Sequence, residues 1–362
     1  MHNINIRLLS ALGILTTVLG NSFPGSSPEI ENRTIEQIYA AAKLESGELT
    51  VSWGGDDDSQ GDDVRTAWAQ TFPDITLNLT VDLSKYHDSN IDRSWQLGRE
   101  YVDLAVLQTL HDFSRWKSQG RLLPYKPAVW ENMWPTVKDP QGAFLPIVFY
   151  NFGSIIYNPG LVSAATLPQS YADFLLPAWK GKLVLTYPND DDAVAYLFSL
   201  IIGKYGWSWF ETLALHQDVR WVRGTATPGA VLARNWTSSA TFTAGSSAPS
   251  LAQTFLPNDQ FMSWAQTGAI FSSTQRPESS KLFMSWISSD AFQKPLADAG
   301  VWSSRSDIPS GPNKTSIFES TLTEPIGFNK FMLDRGEVEW WKLQFETFLG
   351  PAQGDSPLHD QL

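Results

Sequence analysis

Trp179-Lys-Gly-Lys-Leu-Val-Leu-Thr-Tyr-Pro-Asn-Asp-Asp-Asp-Ala-Val-Ala-Tyr-Leu-Phe198 is the stretch whose reading decides the fold. Leu183-Val184-Leu185 is a short apolar run with the length of a buried strand. Tyr187-Pro188-Asn189 interrupts it, because proline donates no ladder hydrogen bond and asparagine favours turns. Asp190, Asp191 and Asp192 then open an apolar segment, Ala193 to Ile202. Carboxylates in a first helical turn suit the positive end of the dipole and accept from unpaired N–H groups. The order is strand, tight turn, helix. In an open α/β sheet such a turn lies at the carboxyl end of the strand, where ligands bind. The plainer reading is that the three aspartates only cap a helix.

The same rhythm occurs on both sides of this stretch. Upstream, Thr34 to Leu44 places Ile35, Ile38, Tyr39 and Ala42 on one helical face, and Gly47 ends it. Leu49 to Trp53 is a strand, followed by Gly54-Gly55-Asp56-Asp57-Asp58 and a helix to about Gln70. Ile75 to Val81 and Tyr101 to Leu107 are further strands, the latter running into Gln108-Thr109 and a helix with Phe113, Trp116 and Lys117. Alternating strands and helices predict βαβ units and a mostly parallel sheet. The rhythm then breaks at Ala143 to Tyr157, an extended apolar run without a helix, which reads as a strand crossing between lobes. Downstream, a helix is expected around Lys204 to Leu213 and a strand at Val219 to Val222. Thr225 to Gly229 opens another helix, and Thr237 to Thr243 is another strand. Phe261 to Ser272 could cross back. Helices follow at Pro277 to Ser288, Ala291 to Gly300 and Gly336 to Phe348.

Composition bounds the function. A chain of 362 residues is comfortable for two domains, and 42% hydrophobic content supplies their cores. The net charge of −12, with no cluster of Lys and Arg, argues against a nucleic-acid partner. Acidity favours a cationic ligand, or serves only solubility. The 16 Trp could be stacking platforms, but large aromatics more often fill cores. There is no Cys, so neither disulfides nor a thiolate site exist. His87, His111 and His216 lack metal-ligand spacing, and no metal or other cofactor is expected. Gly245-Ser246-Ser247 and Thr274 form no nucleophile elbow, and Gly54-Gly55 lacks the lysine of a phosphate loop. A carboxylate pair for glycoside cleavage can always be proposed in so acidic a chain, but nothing selects one.

The N-terminus reads as a processing signal. Arg7 precedes an apolar run, Leu8 to Leu19, too short to span a bilayer, and Gly20 and Ser22 fit a cleavage zone. A signal peptide over 1–20 and a mature chain beginning near Asn21 to Gly25 are expected, with no later membrane span. Sequons at Asn32, Asn78, Asn235 and Asn313 support N-glycosylation on a eukaryotic secretory route.

Several segments, taken in order and spacing, resemble a known family. They are Tyr39-Ala-Ala-Ala-Lys43, Gly47-Glu-Leu-Thr-Val51, Asp103-Leu-Ala-Val-Leu107, Gly120-Arg-Leu-Leu-Pro124, Tyr157-Asn158, Leu176-Pro-Ala-Trp-Lys-Gly-Lys182 and Lys281-Leu-Phe-Met-Ser-Trp286. Together they look like the type II extracellular solute-binding proteins of ABC importers, in the Fe3+-transport branch, and most closely its secreted fungal members. The resemblance spans about residues 35 to 350. It implies two α/β lobes joined by a two-strand hinge: 28–142 with 262–322, and 143–261 with 323–362. It implies a ligand clasped in the cleft between them; a monomer that binds a small ligand without turnover is expected, with the transporter partner unknown. It places Trp53, Gly54, Gly55, Asp56, Gln108 and Thr109 on one side of the ligand, and Asn189, Asp190, Asp191 and Thr241 on the other. Trp264 is expected to stack on the ligand. The adjacent tyrosines and the early histidine of bacterial ferric binders have no counterpart, so an organic cation is expected ahead of ferric ion. A ferric-ion binder and a secreted hydrolase remain the alternatives.

Overall fold

The computed structural model describes residues 28–234, 237–244 and 248–358. The expected signal peptide and cleavage zone, the sequon at Asn235 and Gly245-Ser246-Ser247 lie outside the described residues.

The described residues open with a two-residue strand, β1 (Glu29–Ile30), and helix α1 (Ile35–Ala42). Thr34 caps α1 in a reciprocal capping box with Gln37. Then come β2 (Leu49–Gly54), α2 (Asp62–Thr71), β3 (Leu77–Asp82), α3 (Ser84–Gln96), β4 (Leu104–Leu107), α4 (Leu110–Ser118) and β5 (Tyr125–Lys126). β6 (Leu145–Phe152) and β7 (Ile155–Tyr157) follow, then β8 (Val184–Thr186), α5 (Asp192–Tyr205), α6 (Trp207–His216), β9 (Arg220–Val222), α7 (Thr227–Ala233), β10 (Ala240–Thr241) and β11 (Ala252–Thr254). The chain ends with β12 (Met262–Ile270), α8 (Pro277–Ile287), α9 (Asp290–Asp298), α10 (Gly327–Leu333) and α11 (Arg335–Leu349).

Two lobes arise because the strands sort into two rows. The first is a five-stranded sheet, β3-β2-β4-β12-β6. In the second, β8 pairs in parallel with β9, β7 pairs antiparallel with β10 and β11, and a bridge from Leu183 to Ala240 joins the two pieces. The rows share one plan. Three strands run in parallel, and the chain arrives from the other lobe on an inner antiparallel strand and departs along the far edge. The sheets are therefore mixed rather than mostly parallel. In each row one inner strand, β12 or β7, runs against the others, and the departing edge strand, β6 or β11, runs parallel to the βαβ strands again.

The run expected as one crossing strand, Ala143 to Tyr157, is broken at Gly153. Its first part, β6, is hydrogen-bonded to β12 in the first sheet, and its second, β7, lies in the second. The chain thus changes sheets well after the expected lobe boundary at 143. Gly153 adopts φ +104°, and a Cβ there would lie 2.5 Å from the Tyr171 hydroxyl and 3.0 Å from Phe261 Cα. Only glycine fits so tight a passage. The return runs from β11 into β12, and the chain passes between the lobes a third time before α10.

Each lobe has its own core. In the first, Trp68, Phe72, Phe283 and Trp286 make edge and tilted ring contacts between α2 and α8. In the second, Phe198 is fully buried among Phe210, Phe242 and Phe345. Nine of the tryptophans are buried hydrophobic core, so aromatic abundance here reflects packing more than sugar stacking. Two helices escape the sequence pattern. α3 buries only His87 and Ile91, and α10 is seven residues long. The expected strand from Thr237 to Thr243 shrinks to Ala240–Thr241.

Candidate functional site

The turns that follow β2, β4 and β8 meet between the lobes and wall a cavity of about 540 Å³. One wall is Trp53, Gly54, Gly55 and Asp56, with Ser84, Lys85, Gln108 and Thr109. The other is Asp190, Asp191, Asp192, Gly224 and Thr225. Between them stand Tyr150 and Asn151 of β6 and Trp264 and Gln266 of β12. Gly54 is required by close approach, since a Cβ there would fall 2.1 Å from Ser84 Oγ. Gly54, the last residue of β2, thus serves packing against α3, and Gly55 packs against Gln60 and Val81; the backbone of the pair reaches the cavity as a consequence.

The acidic residues divide by partner. Asp57 caps the short 3-10 turn 58–61 and Asp58 pairs with Arg65; both are exposed and neither lines the cavity. Asp190 accepts from Lys85 Nζ at 3.0 Å and from Arg223 Nε at 2.9 Å. Burial alone would raise its pKa, but Arg223 and Lys85 outweigh burial and hold it below the usual carboxylate range. Asp192 is bound by Lys342 at 3.0 Å and Arg335 at 2.8 Å, which likewise overcome burial and lower it.

Asp56 and Asp191 differ from these: among the described residues neither has a Lys or Arg partner. Asp56 is buried and reaches across the cleft, where its Oδ2 accepts from the Thr225 backbone N–H, the Thr225 hydroxyl at 2.9 Å and Ala226 N–H at 3.0 Å. Its burial raises the carboxyl pKa against these hydrogen bonds. Asp191 caps α5, its Oδ1 accepting from Ala193 N–H at 2.8 Å and Val194 N–H at 2.9 Å. Its Oδ2 faces Gln108 Nε2 of the other lobe at 3.5 Å, the limit for a hydrogen bond. Burial pushes Asp191 up to about 6; Asp192 and Asp56 add repulsion, while the Val194 N–H and the charge of Lys85 work against the rise. Helix capping and cleft lining are thus the same residue's work, because the cap of α5 sits at the cavity wall.

Aromatic rings complete the enclosure. Trp264 packs against Tyr150 at 5.6 Å and Phe152 at 5.0 Å, and its Nε1 donates to Gln266 Oε1 at 3.3 Å. Gln266 in turn donates to Gly54 O at 3.0 Å, anchoring the β2 turn. Burial pushes the Tyr150 phenol up to about 12. Three buried polar atoms on the lining have no protein partner among the described residues: Trp53 Nε1, Thr109 Oγ1 and Asn151 Oδ1.

Of the residues expected at the site, Trp53, Gly54, Gly55, Asp56, Gln108, Thr109, Asp190, Asp191 and Trp264 line the cavity. Asn189 and Thr241 do not. Asn189 Nδ2 turns away to Gly350 O at 3.0 Å, behind the turn. Thr241 is fully buried in its sheet, its hydroxyl 3.3 Å from that of Thr243. Lys85, Tyr150, Asn151 and Gln266 were not expected. Lys85 lies on the polar helix α3, and the other three lie on the crossing strands, whose faces only strand pairing assigns.

Comparison with known proteins bears on the fold. Residues 100–249 match the family model described as bacterial extracellular solute-binding protein. No curated protein matches the chain. Among solved structures, the substrate-binding protein of an ABC transporter from Agrobacterium tumefaciens is 13% identical over 84% of this chain and 95% of its own, with a TM-score of 0.71. The periplasmic binding protein AfuA from Actinobacillus pleuropneumoniae, with fructose-6-phosphate bound, is 15% identical over 85% of this chain and 100% of its own, at 0.66. Iron-bound HitA from Pseudomonas aeruginosa is 15% identical over 84% and 100%, at 0.61. The chain therefore has the two-lobed α/β fold of the periplasmic solute-binding proteins.

Proposed function

We propose that this protein is a secreted, N-glycosylated, monomeric solute-binding protein that holds a small organic cation between its lobes without chemical turnover. The observation that carries this reading is the charge of the cavity wall. Five carboxylates, Asp56, Asp63, Asp190, Asp191 and Asp192, line it against one ammonium, Lys85, which is already paired with Asp190. A cation would supply the counter-charge that Asp56 and Asp191 lack, and Trp53, Tyr150 and Trp264 offer rings for it, a contact worth roughly 0.5–2 kcal/mol. In this reading Trp53 Nε1, Thr109 Oγ1 and Asn151 Oδ1 complete the ligand's hydrogen bonds.

The fold itself does not choose a ligand, since its relatives hold iron in one case and fructose-6-phosphate in another. A phosphate would meet no free cation on this lining among the described residues. Ferric ion would find one tyrosine, Tyr150. A carboxyl held near pH 6 is a feature a hydrolase would share. However, the other buried carboxylate, Asp56, has its Oδ2 engaged by three donors and is poorly placed to act as its partner. Exposure of Asn32, Asn78 and Asn313 supports the glycosylation part of the proposal. We divide the lobes at Gly153, between β11 and β12, and before α10.

The test uses protein purified from its natural secretion medium. Its N-terminus and glycans are sequenced, and it is titrated calorimetrically with polyamines, thiamine-like cations, fructose-6-phosphate and ferric citrate. Saturable binding of a cation without product formation is expected. An intact Met1 would overturn secretion, and tight ferric or sugar-phosphate binding in place of cation binding would overturn the ligand class.

A further inference from the structure

The geometry points to a second site, for a divalent metal ion, formed by Asp88 of α3 with His111 and Asp112 of α4. Each residue offers one ligand atom, and these atoms lie within 4.8 Å of one another. None of the three lines the interlobe cavity. They come from helices that follow different strands, which is why spacing along the chain does not reveal them.

Two features separate this group from an ordinary acidic cluster. Asp112 is 1% exposed, and its Oδ2 has no lysine, arginine, amide or hydroxyl donor among the described residues, only the neighbouring carboxyl of Asp88. A buried carboxylate oxygen without a donor is costly, and a cation would satisfy it. His111 Nδ1 is likewise buried and without a partner among the described residues, while its Nε2 lies 3.6 Å from Asp112 Oδ1. The remaining atoms are held in place. Asp112 Oδ1 accepts from Arg115, which also binds Asp92 at 2.7 Å, and Ser89 Oγ donates to Asp88 Oδ1 at 3.0 Å. Such neighbours orient metal ligands from outside the first coordination layer.

One imidazole nitrogen and two carboxylate oxygens suit Zn2+ better than Mg2+ or Ca2+, which prefer oxygen alone. Zinc bonds of about 2.0–2.2 Å place neighbouring donors roughly 3.4 Å apart in a tetrahedron, so side-chain rotations of about an ångström would close the site. Water would fill the fourth position. The charges around the site are Asp88, Asp92 and Asp112 against Arg115, with Arg335 and Asp192 of the other lobe also acting on His111. The ion would tie α3 to α4. α3 begins at Ser84 and Lys85, and α4 follows Gln108 and Thr109, so zinc would brace one wall of the solute cavity.

The test is titration of the full chain with ZnCl2 by calorimetry and thermal melting, with MgCl2 as control. Wild type, Asp88→Asn and His111→Ala are compared, and each variant's unliganded melting curve checks that it folds. One zinc-dependent stabilisation is expected in the wild type. In either variant, affinity should fall by at least the 10- to 100-fold that loss of an outer ligand partner costs. Cobalt substitution should give visible d–d absorption that His111→Ala alters. Absence of zinc binding at about 100 times a micromolar dissociation constant, or binding undiminished in both variants, would overturn the site. If His111→Ala does not fold, Asp88→Asn decides.

Discussion

Asp191 is the residue on which charge and structure meet. Its Oδ1 is committed to the start of α5, while its Oδ2 is turned to the cleft. A carboxyl whose folded-state pKa is raised penalises the folded chain when it ionises. Its unliganded contribution to stability is therefore greatest below the ordinary carboxylate pKa and declines as pH rises toward about 6. Burial raises Asp56 as well, and it adds in the same direction. Above about pH 6 the charge is present and available to a cation. Affinity for a cationic ligand should accordingly rise through pH 6, while the part of the unliganded melting temperature that Asp191 contributes, read as wild type minus Asp191→Asn, falls between pH 4 and 6. Asn caps a helix about as well as Asp. Asp191→Asn should thus fold normally, lose most cation affinity and flatten both pH profiles, as calorimetry at pH 5 and 7.5 would read. Affinity independent of pH in the wild type would refute the role given to Asp191.

Among the elements, the crossing segments carry the mechanical argument. Tyr171 Oη lies 3.1 Å from Gly153 O on the outward crossing and 3.2 Å from Gln260 O on the return, so one phenol spans both. Gly153 N–H donates to Phe242 O at 2.8 Å, fixing the break to the second sheet. Gly153→Ala should destabilise the chain by roughly 1–3 kcal/mol, from positive φ and from contact with Tyr171. Urea unfolding measures it, and a loss below about 0.5 kcal/mol, ordinary for a surface change, would show that the passage is not strained. The helices were legible in the sequence wherever an apolar face was broad, as in α5 at the cleft and α8 behind the first sheet. α3 was not, because its thirteen residues are mostly polar and bury two side chains. The periodicity that marks a helix is then nearly absent.

For the whole molecule, two polar latches hold the lobes together across the cleft, beside the longer contact of Gln108 with Asp191. Asp56 holds Thr225 and Ala226, and Lys85 holds Asp190. Hydrogen bonds to charged groups contribute about 1.5–3 kcal/mol each, an amount able to bias a hinge of this type. Lys85→Met combined with Asp56→Ala should enlarge the radius of gyration of the unliganded protein in small-angle scattering, and bound cation should shrink the wild type toward its closed form. Identical profiles for wild type and double variant would show that closure rests on other contacts.

The sequence by itself determined the alternating strands and helices, the glycine and aspartate turns at strand ends, and that a cap of α5 lies within the run Asp190-Asp191-Asp192. These follow from backbone hydrogen bonding and side-chain size, which act over a few residues. It also pointed to the segments that change lobes, through apolar runs too long and too unbroken for one βαβ unit. Only the tertiary structure decided which carboxylates are charges and which are caps. Lys85, Arg223, Arg335 and Lys342 neutralise Asp190 and Asp192 from distant parts of the chain. The same folding leaves Asp56 and Asp191 without a Lys or Arg hydrogen-bond partner among the described residues and turns Asn189 and Thr241 away from the cavity. Ion pairing depends on distance in space and on burial, and the sheets set both by bringing the ends of β2, β4 and β8 together.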